Sequence, residues 1–253
     1  MIQASLCNAA VVLLPLFAGV SALLAQEAPN SSAGEAVEAA IRNVAKQEGF
    51  RTRISLDCAL GPDIAPLSAS GDGWVRNPDM VHSKVSSPEV EYYRKGNVSV
   101  HRDAMGEWGA ASEGIPSPFP TFSDPIRFLD QLKNLCRDAV RLEDKKVGDL
   151  DCVVYEVTAT GEAARPFIGE GIPEEAVDWT RVKLTLRLWV EKADALLRKV
   201  TVDCEVWMGE GLQPGVLNPL PLKIVFEVVD YNKEVGLDKI PTAVWKKLNF
   251  QSR

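Results

Sequence analysis

The stretch Arg181-Val182-Lys183-Leu184-Thr185-Leu186-Arg187-Leu188-Trp189-Val190-Glu191 places an apolar side chain at every even position. Its odd positions carry Arg181, Lys183, Thr185, Arg187 and Glu191. A period of two is the signature of a β-strand with one face buried and the other in water. The same parity returns in Val200, Val202, Cys204 and Val206, and again in Leu222, Ile224, Phe226 and Val228. The predicted strands are therefore Arg181–Glu191, Leu197–Trp207 and Leu222–Tyr231. A hairpin closed by Lys192 to Leu196 sets Leu188 near Val200, so neighbouring apolar rows share one face.

Working outward, Val140 to Val147 and Cys152 to Thr160 also read as strands. Phe50 to Leu60 alternates, with Ile54, Leu56, Cys58 and Leu60 on one side and Arg53, Ser55 and Asp57 on the other. Trp74 to Val85, Val90 to Lys95 and Val98 to Arg102 follow, punctuated by Gly73, Pro78, Pro88 and Gly96-Asn97. Only two helices are predicted. Ser32 with Glu35 forms a capping box, and Val37, Ile41 and Val44 recur at helical spacing, giving a helix from Gly34 to Glu48. Asp124 as N-cap with Pro125 behind it opens the second, whose apolar stripe is Phe128, Leu129, Leu132 and Leu135.

Roughly ten strands, each with one apolar side, and two amphipathic helices do not make a flat sheet. Such a sheet would expose its apolar face, whereas a strongly curved one wraps that face around the helices. The expected class is α+β, mainly antiparallel: an open half-barrel with helices on its concave apolar face. Imperfect filling of that concavity leaves an apolar cavity. Its expected lining is Ile54, Leu56, Val182, Leu184, Leu186, Leu188, Val200, Val202, Leu222, Ile224, Phe226 and Val228, with Phe128, Leu129, Leu132 and Leu135 as the lid.

The chain has 253 residues, 46% of them hydrophobic and 25% charged, which excludes long disorder and a polytopic membrane protein. A net charge of −7 argues against a nucleic-acid partner, because phosphate affinity needs a basic face. Two histidines and five cysteines without clustered spacing leave little for a metal site, and neither metal nor cofactor is expected.

Residues 1–25 carry no charged side chain, and the apolar run from Ala9 to Leu24 has the length of a signal-peptide core. Val20-Ser21-Ala22 and Ala25 before Gln26 are the candidate cleavage contexts. Cys7 precedes the apolar core, so it is not the lipidated first residue of a mature chain. The expectation is a signal peptide over 1–25 and one domain over 26–253, secreted or periplasmic and monomeric. Four cysteines then remain: Cys58, Cys136, Cys152 and Cys204. They allow two disulfides in any of three connectivities, or four buried thiols; the strand parity of Cys58 and Cys204 favours thiols.

No catalytic pattern stands out: there is no Gly-x-Ser-x-Gly, no His-Glu-x-x-His, no phosphate loop and no Cys-x-x-Cys. His82 and His101 read as solvated strand residues, and Gly169-Glu170-Gly171 with Glu174-Glu175 as a solvated acidic loop. No catalytic residue is assigned and the chain is not expected to be an enzyme. Trp189 and Trp207 fall on outward positions, either as a partner surface or as a floor for the loop from Gly161 to Trp179.

Gly73-Trp74-Val75-Arg76-Asn77-Pro78-Asp79-Met80-Val81-His82, followed by Tyr92-Tyr93-Arg94-Lys95-Gly96-Asn97-Val98-Ser99-Val100, resembles the periplasmic lipoprotein-carrier superfamily typified by LolA, with its LppX/LprG-like and RseB-like relatives. Leu188-Trp189-Val190-Glu191-Lys192 with Leu197-Arg198-Lys199-Val200 looks like that superfamily's paired strands, and Phe226 to Asp230 with Ile240-Pro241 like its last strand and closing turn. Gly49-Phe50-Arg51-Thr52 stands where carriers open Gly-Phe-x-Gln. The resemblance implies an unclosed barrel that binds acyl chains of a lipid or lipoprotein under a helical lid and passes them toward the outer membrane. A membrane-protein donor or acceptor is the implied partner. The competing reading is a sensor or scaffold that binds lipoproteins and a membrane protein on the same fold.

Overall fold

The alternation in sequence becomes one antiparallel sheet. Its strands are β1 (Gly49–Cys58), β2 (Leu67–Arg76), β3 (Met80–Ser86), β4 (Val90–Lys95), β5 (Val98–Arg102), β6 (Trp108–Ala110), β7 (Val140–Arg141), β8 (Lys145–Val147), β9 (Leu150–Thr160), β10 (Lys183–Glu191), β11 (Leu197–Val206) and β12 (Leu220–Tyr231). The structure, a computed structural model, describes residues 32–86, 89–102, 106–110, 124–168, 174–209, 215–233 and 240–250. Strand order is β6-β5-β4-β3-β2-β1-β12-β11-β10-β9-β7, with β8 paired to β9, so β6 and β7 lie at opposite edges and the sheet stays open. Tyr92 of β4 and Tyr155 of β9 nevertheless belong to one buried cluster. A sheet this wide shares one core across its span only by curving around it. The architecture is the expected α+β half-barrel.

The register follows the parity of the side chains. Leu188 faces Val200 directly, and Val200 faces Phe226. Ile54 pairs with the same Phe226 from the other side of β12.

On the concave face lie α1 (Ala33–Ala45), α2 (Pro125–Leu135) and the single turn α3 (Arg165–Ile168). The capping box of α1 is formed: Glu35 N donates to Ser32 Oγ at 3.2 Å, and Ser32 N to Glu35 Oε2 at 2.8 Å. The helix buries Val37, Ala40, Ile41 and Val44. Its C-terminal carbonyls are met by a side chain from the β2–β3 turn. Asn77 Nδ2 donates to Val44 O at 3.1 Å and to Gln47 O at 2.8 Å. From beyond β12, Asn232 Oδ1 accepts from Glu48 N at 2.8 Å. At the other end a β-carbon on Gly34 would stand 2.7 Å from both Cys136 O and Arg137 O. Glycine there lets α1 touch the 3-10 turn that follows α2.

Several boundaries differ from expectation. The first helix ends at Ala45, because Asn77 and the turn after it terminate the helical ladder before Glu48. Trp74 to Val85 is two strands, separated by the turn at Asn77 to Asp79. Val140 to Val147 likewise divides into β7 and β8. The first half of β2 reads Leu67-Ser68-Ala69-Ser70-Gly71-Asp72-Gly73: after Leu67 its inward residues are Ala69, Gly71 and Gly73, so its apolar signal is faint. A further helix, α4 (Thr242–Phe250), packs Val244 and Leu248 with Met80, Tyr93 and Val100 on the face away from the main core. The sheet is thus covered on both sides at its β3–β5 end.

That outer face also carries one transverse row with strict alternation of charge. Reading across the register, Trp189, Lys199, Glu227, Arg53, Asp72, Lys84, Glu91, Arg102 and Trp108 are successive partners. Lys199–Glu227 measures 2.9 Å, Arg53–Asp72 4.0 Å, Lys84–Glu91 3.4 Å and Arg102–Glu91 3.9 Å. Opposite charges directly across antiparallel strands favour this register.

Candidate functional site: the concave apolar face and the helix across it

The twelve positions expected to line a cavity are all buried, Ile54 being the most exposed at 9%. They form one cluster with Phe128, Leu129 and Leu132 of α2, while Leu135 is half-buried at its margin. The Phe128 ring lies 4.6 Å from that of Phe226 on β12, and meets Phe167 of α3 edge-on at 6.1 Å. In this arrangement α2 is down on the sheet. Phe50, Val75, Val81, Tyr92, Phe167, Ile168 and Trp179 join the same cluster, although none is among the residues expected to line it. Phe167 and Ile168 sit in the stretch from Gly161 to Trp179, which has no period to read. Gly169, Glu170 and Gly171 of that stretch lie outside the described residues, as do residues 1–25 with Cys7 and the candidate cleavage contexts.

The front end of α2 is held by polar contacts. Asp124 Oδ1 accepts from Ile126 N at 3.1 Å and Arg127 N at 3.2 Å, as an N-cap does. Across on β4, Arg94 Nε donates to Asp124 Oδ2 at 2.5 Å and Arg94 Nη2 to Asp124 Oδ1 at 3.1 Å. Tyr92 Oη adds a longer contact to Asp124 Oδ2 at 3.4 Å. The Asp124 side chain is only 4% exposed and that of Arg94 19%. Burial pushes the Tyr92 hydroxyl well above its ordinary pKa, with the Asp124 charge acting in the same direction, so it remains a donor.

His82 corrects an expectation: it is buried, not solvated. Its ring stacks on Tyr93 at 4.1 Å and on Trp74 at 4.9 Å. Nε2 lies 2.9 Å from Glu91 Oε1. Desolvation nevertheless dominates, and holds the imidazole pKa below its ordinary value. His101 is half-buried. The four described cysteines are buried and free. Burial pushes the thiols of Cys136 and Cys204 up to about 12, which suits apolar packing and opposes nucleophilic use.

Trp207 and Trp189 are half-buried. The Arg181 guanidinium covers Trp207 at 3.4 Å from the ring centre. The stretch ending at Trp179 is tied alongside, since Asp178 N donates to Trp207 O at 2.7 Å and Val177 bridges Met208. No helix among the described residues is long and apolar enough to cross a membrane.

No family model matches the sequence, and neither does any curated protein. Among solved structures the fold is similar to the lipoprotein LppX of Mycobacterium tuberculosis, at 14% identity and a TM-score of 0.47, covering 80% of this chain and 98% of that one. It is similar to LprF from Mycobacterium bovis, at 9% identity and a TM-score of 0.45 over 84% and 97% of the two chains. A LolA superfamily protein from Nitrosomonas europaea matches at 13% identity and a TM-score of 0.37, over 83% and 97%.

Proposed function

We propose that this protein is a soluble carrier of acyl chains, belonging to a lipid or to a lipid-modified protein, and that it works outside the cytoplasm after loss of residues 1–25. The observation that carries the reading is the seat of α2. An amphipathic helix lays Phe128, Leu129 and Leu132 across the centre of an apolar sheet face, on Phe226. Those are contacts that a hydrocarbon chain can replace one for one. Each CH₂ group kept from water contributes about 0.8 kcal/mol, so a long chain holds roughly ten kcal/mol against release into an aqueous gap.

In this reading Leu184, Leu186, Leu188, Val202, Ile224 and Phe226 take the place of water around the chain, and α2 lifts to admit it. The work requires no nucleophile, base or metal. Transfer toward the outer membrane, with a membrane-protein donor or acceptor, belongs to the same proposal.

Native mass spectrometry of protein purified from its own host, together with titration of a fluorescent acyl probe, tests the reading. Bound lipid or saturable probe uptake supports it. Protein that is empty and fails to take up the probe overturns it.

A further inference from the structure

We propose that Arg94 is the docking point for the anionic head of the cargo, and that Asp124 fills this place from within when α2 is down. The proposal rests on the carrier reading and adds the chemical class of the ligand: an acyl chain that ends in an oxyanion.

The argument starts from the shape of the contact. Two nitrogens of Arg94 engage both oxygens of Asp124, at 2.5 and 3.1 Å. A guanidinium fork takes a carboxylate or a phosphate in the same geometry, so Asp124 is a chemical copy of either head group. Tyr92 Oη supplies a further donor on the same oxygen, Oδ2.

The site is also built to outlast the departure of Asp124. Arg94 Nη1 donates to Gly96 O at 2.9 Å, a backbone contact on its own hairpin. The guanidinium therefore stays aimed whether or not α2 is present. Asp124 sits one residue ahead of the first turn of α2, so lifting that end withdraws the directly bonded carboxylate and leaves a half-buried cation with only the longer-range charge of Asp79 beside it. Such a charge seeks another oxyanion.

Finally, the polar site adjoins the apolar one. The Tyr92 ring belongs to the same buried cluster as Phe128, Val75 and Val81. An amphiphile thus finds its two chemistries side by side, and its head displaces Asp124 as its tail displaces α2.

Three probes with one fluorescent acyl chain test this: a fatty acid, its methyl ester and a monoacyl phosphate. The full chain is expected to bind the acid or the phosphate about tenfold more tightly than the ester, the size of one charge-assisted hydrogen bond. Which of the two anions leads identifies the head group. Arg94→Gln is expected to remove that preference, so that acid, phosphate and ester bind with similar affinity. Asp124→Asn keeps an N-cap residue while removing the competing charge, and is expected to tighten the anionic probes more than the ester.

Equal binding of acid, phosphate and ester by the unaltered protein overturns the oxyanion site and leaves the carrier reading standing. So does an Arg94→Gln protein that loses all three probes in parallel while melting like the parent. Failure of every probe to bind removes the carrier reading, and this inference with it. If Arg94→Gln does not fold, the comparison of acid with ester on the unaltered chain decides alone.

Discussion

Gly73 of β2 makes room for Pro125, the first residue of α2. A β-carbon at position 73 would stand 2.9 Å from Pro125 Cγ, and closer still to Thr52 Oγ1. Neither neighbour is the free end of a flexible chain: one is a proline ring, the other a β-branched side chain only 2% exposed. Gly73→Ala is therefore expected to cost about 1–3 kcal/mol through overpacking, read as a lower urea midpoint with unchanged slope. An unchanged midpoint would show that α2 rests on the sheet less closely than described.

Acid sensitivity centres on His82. Its folded pKa is depressed, with desolvation the leading cause, the Glu91 contact opposing it and Lys84 reinforcing it. The unfolded chain therefore takes up the proton first. The contribution of His82 is fully present above its unfolded pKa near 6.5 and is lost as pH falls from there toward the lower folded value. Urea midpoints measured from about pH 7 down to about pH 5 should decline, and His82→Phe, which keeps an aromatic ring between Trp74 and Tyr93, should flatten the decline. An equal decline in both proteins would assign it to the carboxylates instead.

Native thiols offer a direct view of α2. Cys136 caps its C-terminal end and donates through Sγ to Leu132 O at 2.9 Å, while Cys152 is buried on β9 outside the main cluster. With single-cysteine proteins, a thiol reagent at mildly alkaline pH should label neither site until unfolding. Saturation with an acyl probe should leave both thiols protected, because Cys136 lies at the end of α2 that packs on Gly34 and only the front end lifts. Equal acceleration at both would report general loosening.

Charge reversal within the outer row should register electrostatically. Glu227→Lys places a cation against Lys199, its cross-strand partner at 2.9 Å, and against Arg53 in the paired register. The expected loss is about 0.5–1 kcal/mol, smaller in high salt, with partial recovery in the Lys199→Glu/Glu227→Lys double swap. A loss independent of salt would point to packing rather than charge.

The central strands were legible because large β-branched and aliphatic residues alternate there. Leu188 opposite Val200 follows from parity and hairpin length alone. Both concave helices announced themselves by their caps, Ser32 with Glu35 and Asp124 with Pro125. The first half of β2 was lost because Ala69, Gly71 and Gly73 give alternation without apolar bulk. The helix α4 is hard to read because its nine residues offer only one buried i,i+4 pair, Val244 and Leu248, too few to set a period. Asp124 was readable as a cap, yet its pairing with Arg94 spans 30 residues of sequence. No local pattern encodes a contact made only when a helix returns across a sheet. The same holds for His82, whose neighbours in sequence, Val81 and Ser83, give no sign of the ring on either side of it.

Asn77 and Asn232 approach the end of α1 from opposite flanks of β1, one following β2 and the other following β12. The helix is riveted to the two staves on either side of β1 and stands as a doorpost of the half-barrel. In the carrier reading it is α2 that moves, being tethered near Gly34 at its far end and latched at Asp124. Entry in that reading is one-sided: a tail would slip in beneath the front of α2, along β2 to β4, with the α1 side as a wall.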